Sequence, residues 1–189
     1  HGSGKSSLFR LWCATLGDEY CAFYNNYTEF SSTFNMGQIN RLIIFVDDVH
    51  DLSSKAQQVL NARVTCEKMR FNQKNEKPFW HSVCDEIYFT TNDETLYCSS
   101  DDRRQLHIKV TPAWHQNREK FSGFRAALAN LDIMKSFFSF CASKELGDFH
   151  PANEKQNPFY EETLNQKANN MKATWQFMSQ FFSSSDWVL

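Results

Sequence analysis

The chain has 189 residues, a formal net charge of −2 and 41% apolar residues. It can bury the core of one domain, or of one domain with a helical appendage, which excludes a disordered chain. It is also not a globally basic nucleic-acid binder, so any nucleic-acid contact must come from a local patch. No apolar run approaches membrane-spanning length, and Gly-Ser-Gly-Lys stands where a secretory signal would carry an apolar stretch. The six cysteines form no C-x-x-C pair, which argues against zinc and for reduced thiols in an intracellular protein.

In chain order, residues 6–16 carry Leu8, Leu11, Trp12 and Leu16 at helical spacing, and Gly17 ends that helix. Residues 18–38 mix polar loops with short apolar patches. "RLIIFVDD" (residues 41–48) holds five consecutive apolar residues closed by two acids, the pattern of a parallel strand covered on both faces. Residues 53–61 suit a short helix. Residues 64–79 alternate weakly and carry Lys68, Arg70, Lys74 and Lys77, which predicts a hairpin with a basic tip. "EIYFTTN" (residues 86–92) suits a second buried strand, and "QLHIKV" (residues 105–110) a half-exposed strand ended by Pro112.

From residue 120 the period changes. Phe121, Phe124, Leu128, Leu131, Phe138 and Cys141 predict that residues 120–145 are mainly helix. Residues 147–158 suit a loop, and Met171, Trp175, Met178 and Phe182 a last amphipathic helix. The chain thus divides into an α/β part, residues 1–112, and a helical part, residues 113–189.

Five groups of residues carry the chemistry. Gly4, Lys5 and Ser6 match the end of the pattern G-x-x-x-x-G-K-[ST]. In that pattern backbone N–H groups close around phosphate oxygens, and the following helix points its positive end at them. Gly2, Ser3, Gly4, Lys5, Ser6 and Ser7 would cradle the phosphates, with Lys5 on the β- and γ-phosphates and Ser6 on Mg²⁺. A turn capping a helix is the plainer alternative. Asp47 would hold the Mg²⁺ shell, and Asp48 would orient or deprotonate the attacking water; a solvated strand end is the alternative.

Asn92, closing the next strand, could hydrogen-bond the γ-phosphate and the lytic water; alone, Thr-Thr-Asn-Asp is only a turn signal. Arg103 and Arg104 present planar guanidinium groups that suit a phosphoryl transition state, against ion pairing with Asp101 or Asp102. Lys68, Arg70, Lys74 and Lys77, interleaved with Phe71, Phe79 and Trp80, could track a single strand by charge and stacking, or form a solvated hairpin over core aromatics. His50, His81, His107, His115 and His150 show no ligand spacing, so core or surface roles are expected.

In this order the motifs resemble superfamily 3 helicases of DNA viruses and phages, nearest to the poxvirus-type primase–helicase C-terminal region. "GSGKSS" looks like that family's phosphate loop, "LIIFVDDVHD" its acidic strand, and "KNEKPFWHSVCDEIYFTTND" its basic hairpin and sensor strand. "SSDDRRQLHIKV" is similar to its acidic-Arg-Arg element. "FFSFCASKELGDFHPAN" and "NPFYEETLNQ" extend the likeness over most of the chain, weakest at residues 18–38 and after residue 173.

The resemblance implies a P-loop NTPase core of the AAA+ type, with three layers, a mostly parallel sheet and a C-terminal helical region. It implies ATP and Mg²⁺ as cofactors and an intracellular role in an infected host cell. The motor would translocate on single-stranded DNA as a ring, usually a hexamer, with an upstream primase domain in many members. Arg104, or second Arg103, would act as the finger from a neighbouring subunit. Asp48 departs from the Glu commoner in the family. A picornavirus-like RNA-virus ATPase and a degenerate, non-hydrolysing assembly subunit are the competing readings. The first glycine of the phosphate pattern would lie upstream of His1. The sequence therefore reads as a fragment cut inside the loop, expected to bind ATP poorly, whose preceding strand would sit beside or close to "LIIFV".

Overall fold

A computed structural model of the chain describes residues 4–50, 52–83, 85–93, 104–148 and 159–169. Helix α1 (Ser7–Leu16) ends at Gly17, whose φ of 107° favours glycine and whose N–H donates to the Cys13 carbonyl at 2.9 Å. Strand β1 (Cys21–Tyr24) follows, inside the stretch expected to be mixed loop. A one-turn helix α2 (Tyr27–Phe30) is capped by Asn26, whose side chain accepts from the Glu29 N–H. Strand β2 (Ile43–Val46) is buried along its whole length. Helix α3 (Ser54–Val64) starts under the Ser53 hydroxyl, which accepts from the Ala56 N–H.

Strands β3 (Lys68–Phe71) and β4 (Phe79–Ser82) form the expected antiparallel hairpin, and β5 (Glu86–Phe89) the expected second core strand. The strands β1, β2 and β5 make one parallel sheet in the order β1-β2-β5. Each side of the sheet is covered, as the continuous apolar run of β2 requires. Successive β2 side chains alternate between faces. Phe45 meets Phe9 of α1, Phe23 and Tyr88, with ring centroids 5.8, 5.8 and 6.3 Å away. Ile44 and Val46 join Phe30, Val49, Leu52 and Leu60 in a second cluster. The protein is therefore a mixed α/β fold with a parallel three-stranded sheet and flanking helices.

Residues 120–145 are mainly helix, as their period predicts, in two segments, α4 (Arg118–Leu128) and α5 (Leu131–Ala142). Asn130 causes the break, because its side chain accepts from the N–H groups of Asp132 and Ile133 and so caps a new helix. Both helices pack on α1. Helix α6 (Tyr160–Asn169) lies at "NPFYEETLNQ". The helix expected around Met171–Phe182 lies outside the described residues, as does most of the expected loop over residues 147–158.

One expectation is corrected. Residues 105–110 form no strand: the His107 N–H is directed to Thr163 Oγ1 of α6 at 3.4 Å, and Leu106 and Ile108 stay about half exposed. Alternation prepares a strand, but a ladder partner makes one. Strand β2 has both edges filled, by β1 and β5, so a further strand could join only at the outer edge of β1 or β5. Among the described residues no helix is long and apolar enough to cross a membrane.

Candidate active site

The register of the sheet assembles the site. Val46 pairs with Phe89, so the acids after β2 and the polar residues after β5 emerge side by side at the same end. The chain leaves β2 through Asp47 and Asp48, with Asp48 at a φ of 50°. Hydrogen bonds from the Thr90 N–H to the Val46 carbonyl (3.0 Å) and from the Val49 N–H to the Thr90 carbonyl (2.8 Å) hold the two exits together.

The loop before α1 lies over these strand ends. Gly4 has a φ of 91°, and its carbonyl accepts from the Ser7 N–H at 2.9 Å. A Cβ at Gly4 would approach Phe121 Cε1 of α4 to 2.8 Å. Glycine is therefore required twice, by backbone angle and by the ring above it. Lys5 Nζ donates to the Thr91 carbonyl and to Asn92 Oδ1. Ser6, at the N-cap of α1, makes no side-chain cap; its hydroxyl donates to Asp47 Oδ2 at 3.0 Å. No acidic residue occupies the first turn of α1, so the partial positive charge of the helix end is not offset there.

Asp47 also accepts from the Thr90 hydroxyl, which in turn accepts from the Asp48 N–H at 3.4 Å. Asp48 Oδ1 accepts from Asn92 Nδ2 and lies against His50 Nε2, both at 3.2 Å. The other ring nitrogen of His50 is 2.9 Å from Asp93 Oδ2. Hydrogen bonding to Asp93, then to Asp48, raises the His50 pKa above its ordinary value. The structure thus brings Lys5, Ser6, Asp47, Asp48 and Asn92, all candidates from the sequence, into one network. Thr90, His50 and Asp93 belong to it and were not predicted. Each is a common residue type, and only the strand register reveals its place.

Gly2, Ser3 and Arg103 lie outside the described residues; Ser7 opens α1, and Arg104 is exposed. The basic residues separate on the hairpin. Lys68 and Arg70 lie on β3, cross-strand from Ser82 and Trp80, whereas Lys74 and Lys77 occupy the connecting loop. Lys68, Arg70 and Trp80 share the exposed face, with Trp80 69% exposed. The opposite face is anchored by Phe71, fully buried and stacked on Phe79 at 6.2 Å. The hairpin is fastened to the body by Asn35, which bonds the Arg70 carbonyl and the Asn72 N–H, and by His81, 2.8 Å from Asn40 Oδ1.

At the far end of β5, Arg63 of α3 meets Asp85 at 2.6 Å, with both side chains under a tenth exposed. Burial raises the Asp85 pKa, and the Arg63 guanidinium opposes that rise. Arg63 also donates to Gln38 Oε1 at 2.6 Å and lies against Met69 of the hairpin.

Comparison with known proteins gives the following. The fold matches the apo structure of the NrS-1 C terminal region (305-718) with a TM-score of 0.70 at 17% identity, over 92% of this chain and 41% of that one. It matches an A form apo structure of the NrS-1 C terminal region-CTR with a TM-score of 0.70 at 17% identity, over 91% and 41%. A further A form apo structure of that region (305-718) gives 0.65 at 18%, over 92% and 40%. The chain spans about two-fifths of the length of these structures, and the likeness is one of fold. No curated protein matches the chain. A family model, described as a family of unknown function (DUF5906), matches residues 1–104, and the chain belongs to that family.

Proposed function

We propose that the chain is the nucleotide-hydrolysing core of a superfamily 3 DNA helicase, a replication motor of a virus or phage. One observation carries the reading: Lys5, Ser6, Asp47, Asp48 and Asn92 converge where a positive helix end meets the carboxyl ends of two parallel strands. Ligands of open α/β sheets bind at that edge. The donor set fits Mg²⁺–ATP. A hydroxyl and a carboxylate oxygen, Ser6 Oγ and Asp47 Oδ2, already lie 3.0 Å apart, and hard oxygen donors suit Mg²⁺.

Each residue then has a task. Lys5 neutralises phosphate charge, exchanging the Asn92 and Thr91 oxygens for phosphate oxygens. Ser6 and Asp47 hold the ion, which supplies charge neutralisation on the phosphates when bound. Thr90 fixes the orientation of Asp47. Asp48 accepts a proton from, or orients, the attacking water, and Asn92 holds that water and the terminal phosphate. Arg104, or Arg103, would reach a neighbouring subunit's nucleotide, which implies a ring. Lys68, Arg70, Lys74 and Lys77 would contact the phosphates of single-stranded DNA.

The test is ATP hydrolysis by the full-length protein, with and without single-stranded DNA or RNA. Hydrolysis stimulated by DNA is expected, and Lys5→Ala should abolish it. Retained turnover in Lys5→Ala would refute the site, and stimulation by RNA alone would refute the DNA reading. Mixing Arg104→Ala with Lys5→Ala subunits should restore part of the activity if the finger acts in trans.

A further inference from the structure

The proposed hydrolysis leaves two side chains of the network, His50 and Asp93, without a task. His50 stands between two carboxylates from different strand exits: Asp48, which follows β2, and Asp93, which follows β5. Its Nε2 is 3.2 Å from Asp48 Oδ1 and its Nδ1 is 2.9 Å from Asp93 Oδ2. An ionised carboxylate only accepts, and a protonated imidazole donates from both ring nitrogens, so the two contacts suit the charged ring. The ring is half exposed, at 49%, so its position is not dictated by core packing. Asp93 is itself fixed, because its N–H donates to Thr91 Oγ1 at 2.9 Å, and the Thr91 carbonyl is a partner of Lys5.

We infer that His50 is a positioning residue for Asp48, tying the acidic strand end to the sensor strand end so that Asp48 and Asn92 keep one relative geometry. The inference rests on the hydrolytic reading above. Asp48 Oδ1 is held from two sides, by Asn92 Nδ2 and His50 Nε2, both at 3.2 Å. When Asn92 turns its amide toward a phosphate, His50 remains as the second support. It need not touch nucleotide; it limits the rotation of a short carboxylate at an exposed strand end. Orientation of this kind acts on the chemical step more than on binding, because the phosphate-binding groups Lys5 and Ser6 lie elsewhere in the network.

The experiment compares His50→Ala, His50→Gln, Asp93→Ala and the His50→Ala/Asp93→Ala double variant in the full-length protein. Steady-state ATP hydrolysis is measured together with calorimetric binding of a non-hydrolysable ATP analogue and Mg²⁺. His50→Ala should lower kcat about tenfold or more, the scale of a lost orienting partner. The KM for ATP and the analogue affinity should stay within about twofold. Asp93→Ala should lower kcat in the same direction, the double variant should be no worse than His50→Ala, and His50→Gln should recover part of the loss. Nitrogen-15 NMR of the His50 ring in the 189-residue chain supplies a readout independent of turnover: Asp93→Ala should shift its Nδ1 resonance. An unchanged kcat in His50→Ala, additive losses in the double variant, or an unmoved Nδ1 resonance would overturn the positioning role alone. Absence of hydrolysis by the wild-type protein would overturn the hydrolytic reading and this role with it.

Discussion

Removing Asp85 should destabilise the fold, at a place remote from the candidate site. The carboxylate sits 2.6 Å from Arg63 Nη2, and both side chains are less than a tenth exposed. Burial raises the Asp85 pKa despite the adjacent guanidinium. For the Asp85 carboxylate, burial therefore outweighs the attraction of the guanidinium. Asp85→Ala leaves a buried guanidinium with Gln38 Oε1, the Met69 sulfur and the Phe30 ring, 5.2 Å away, as neighbours but no counter-charge among them. The expected cost is about 3–5 kcal/mol. With a urea slope of roughly 2 kcal/mol per molar, the unfolding midpoint should fall by about 2 M. Replacing both groups with apolar side chains, Arg63→Met and Asp85→Leu, removes the charge and its desolvation together, and should return stability to within about 1 kcal/mol of wild type. The assay is equilibrium urea unfolding followed by tryptophan fluorescence. Asp85→Ala costing less than about 1 kcal/mol would mean that water reaches the pair. A double variant as unstable as the single would mean that the pair is strongly favourable in itself. Either result refutes the argument.

Three other outcomes follow from the same geometry. Gly4→Ala should weaken Mg²⁺–ATP binding, because the φ of 91° is strained for alanine and the methyl meets Phe121; adding Phe121→Ala should relieve the clash but not the strain, which calorimetry of both variants can resolve. Trp80→Ala should weaken single-stranded DNA binding by roughly 1–3 kcal/mol without lowering the melting temperature, since the ring is exposed, whereas Phe71→Ala should destabilise the fold by about 3–5 kcal/mol. His50 has a raised pKa in the folded chain, so its stabilising contribution is complete below its ordinary value of 6.5 and is lost as pH rises through the folded value. The difference in urea midpoint between wild type and His50→Gln should therefore shrink as pH rises from 6 through that value.

Which parts were legible in the sequence follows from how local their causes are. Strand β2 was legible because a five-residue apolar run closed by acids fits few other structures. Strand β1 was not: "CAFY" is four residues among other aromatics, and only pairing with β2, from Cys21↔Ile43 to Tyr24↔Val46, makes it a strand. The reverse failure is "QLHIKV", where a strand-like alternation lacks a ladder and the His107 N–H turns to α6. In the site, Lys5, Ser6, Asp47 and Asn92 announce themselves by residue type and order. Thr90 and His50 do not, because their roles arise from the Val46↔Phe89 register, which no short window contains. Phe121 is more distant still: its ring covers Gly4 only because α4 packs on α1.

Asp48 is where local conformation and the proposed chemistry constrain the same residue. An extended exit from β2 would send consecutive side chains to opposite faces. At a φ of 50° the chain instead turns, so that Asp47 reaches Ser6 and Thr90 while Asp48 reaches Asn92 and His50. Asp and Asn tolerate this left-handed region better than Glu, whose longer side chain lacks the same local hydrogen bonding. That gives a physical reason for Asp rather than Glu at this turn. It also separates conformation from chemistry by substitution. Asp48→Asn should keep the turn, the stability and the nucleotide affinity, and lose turnover, because the amide accepts no proton from water. Asp48→Glu keeps the carboxylate but should lose about 1 kcal/mol of stability and part of the turnover, the backbone resisting and the longer arm misplacing the oxygens. Urea unfolding and single-turnover hydrolysis distinguish the two. An Asp48→Asn protein that still hydrolyses ATP at the wild-type rate would remove Asp48 from the chemistry. An Asp48→Glu protein more stable than wild type would show that the turn at this residue does not discriminate between the two acids.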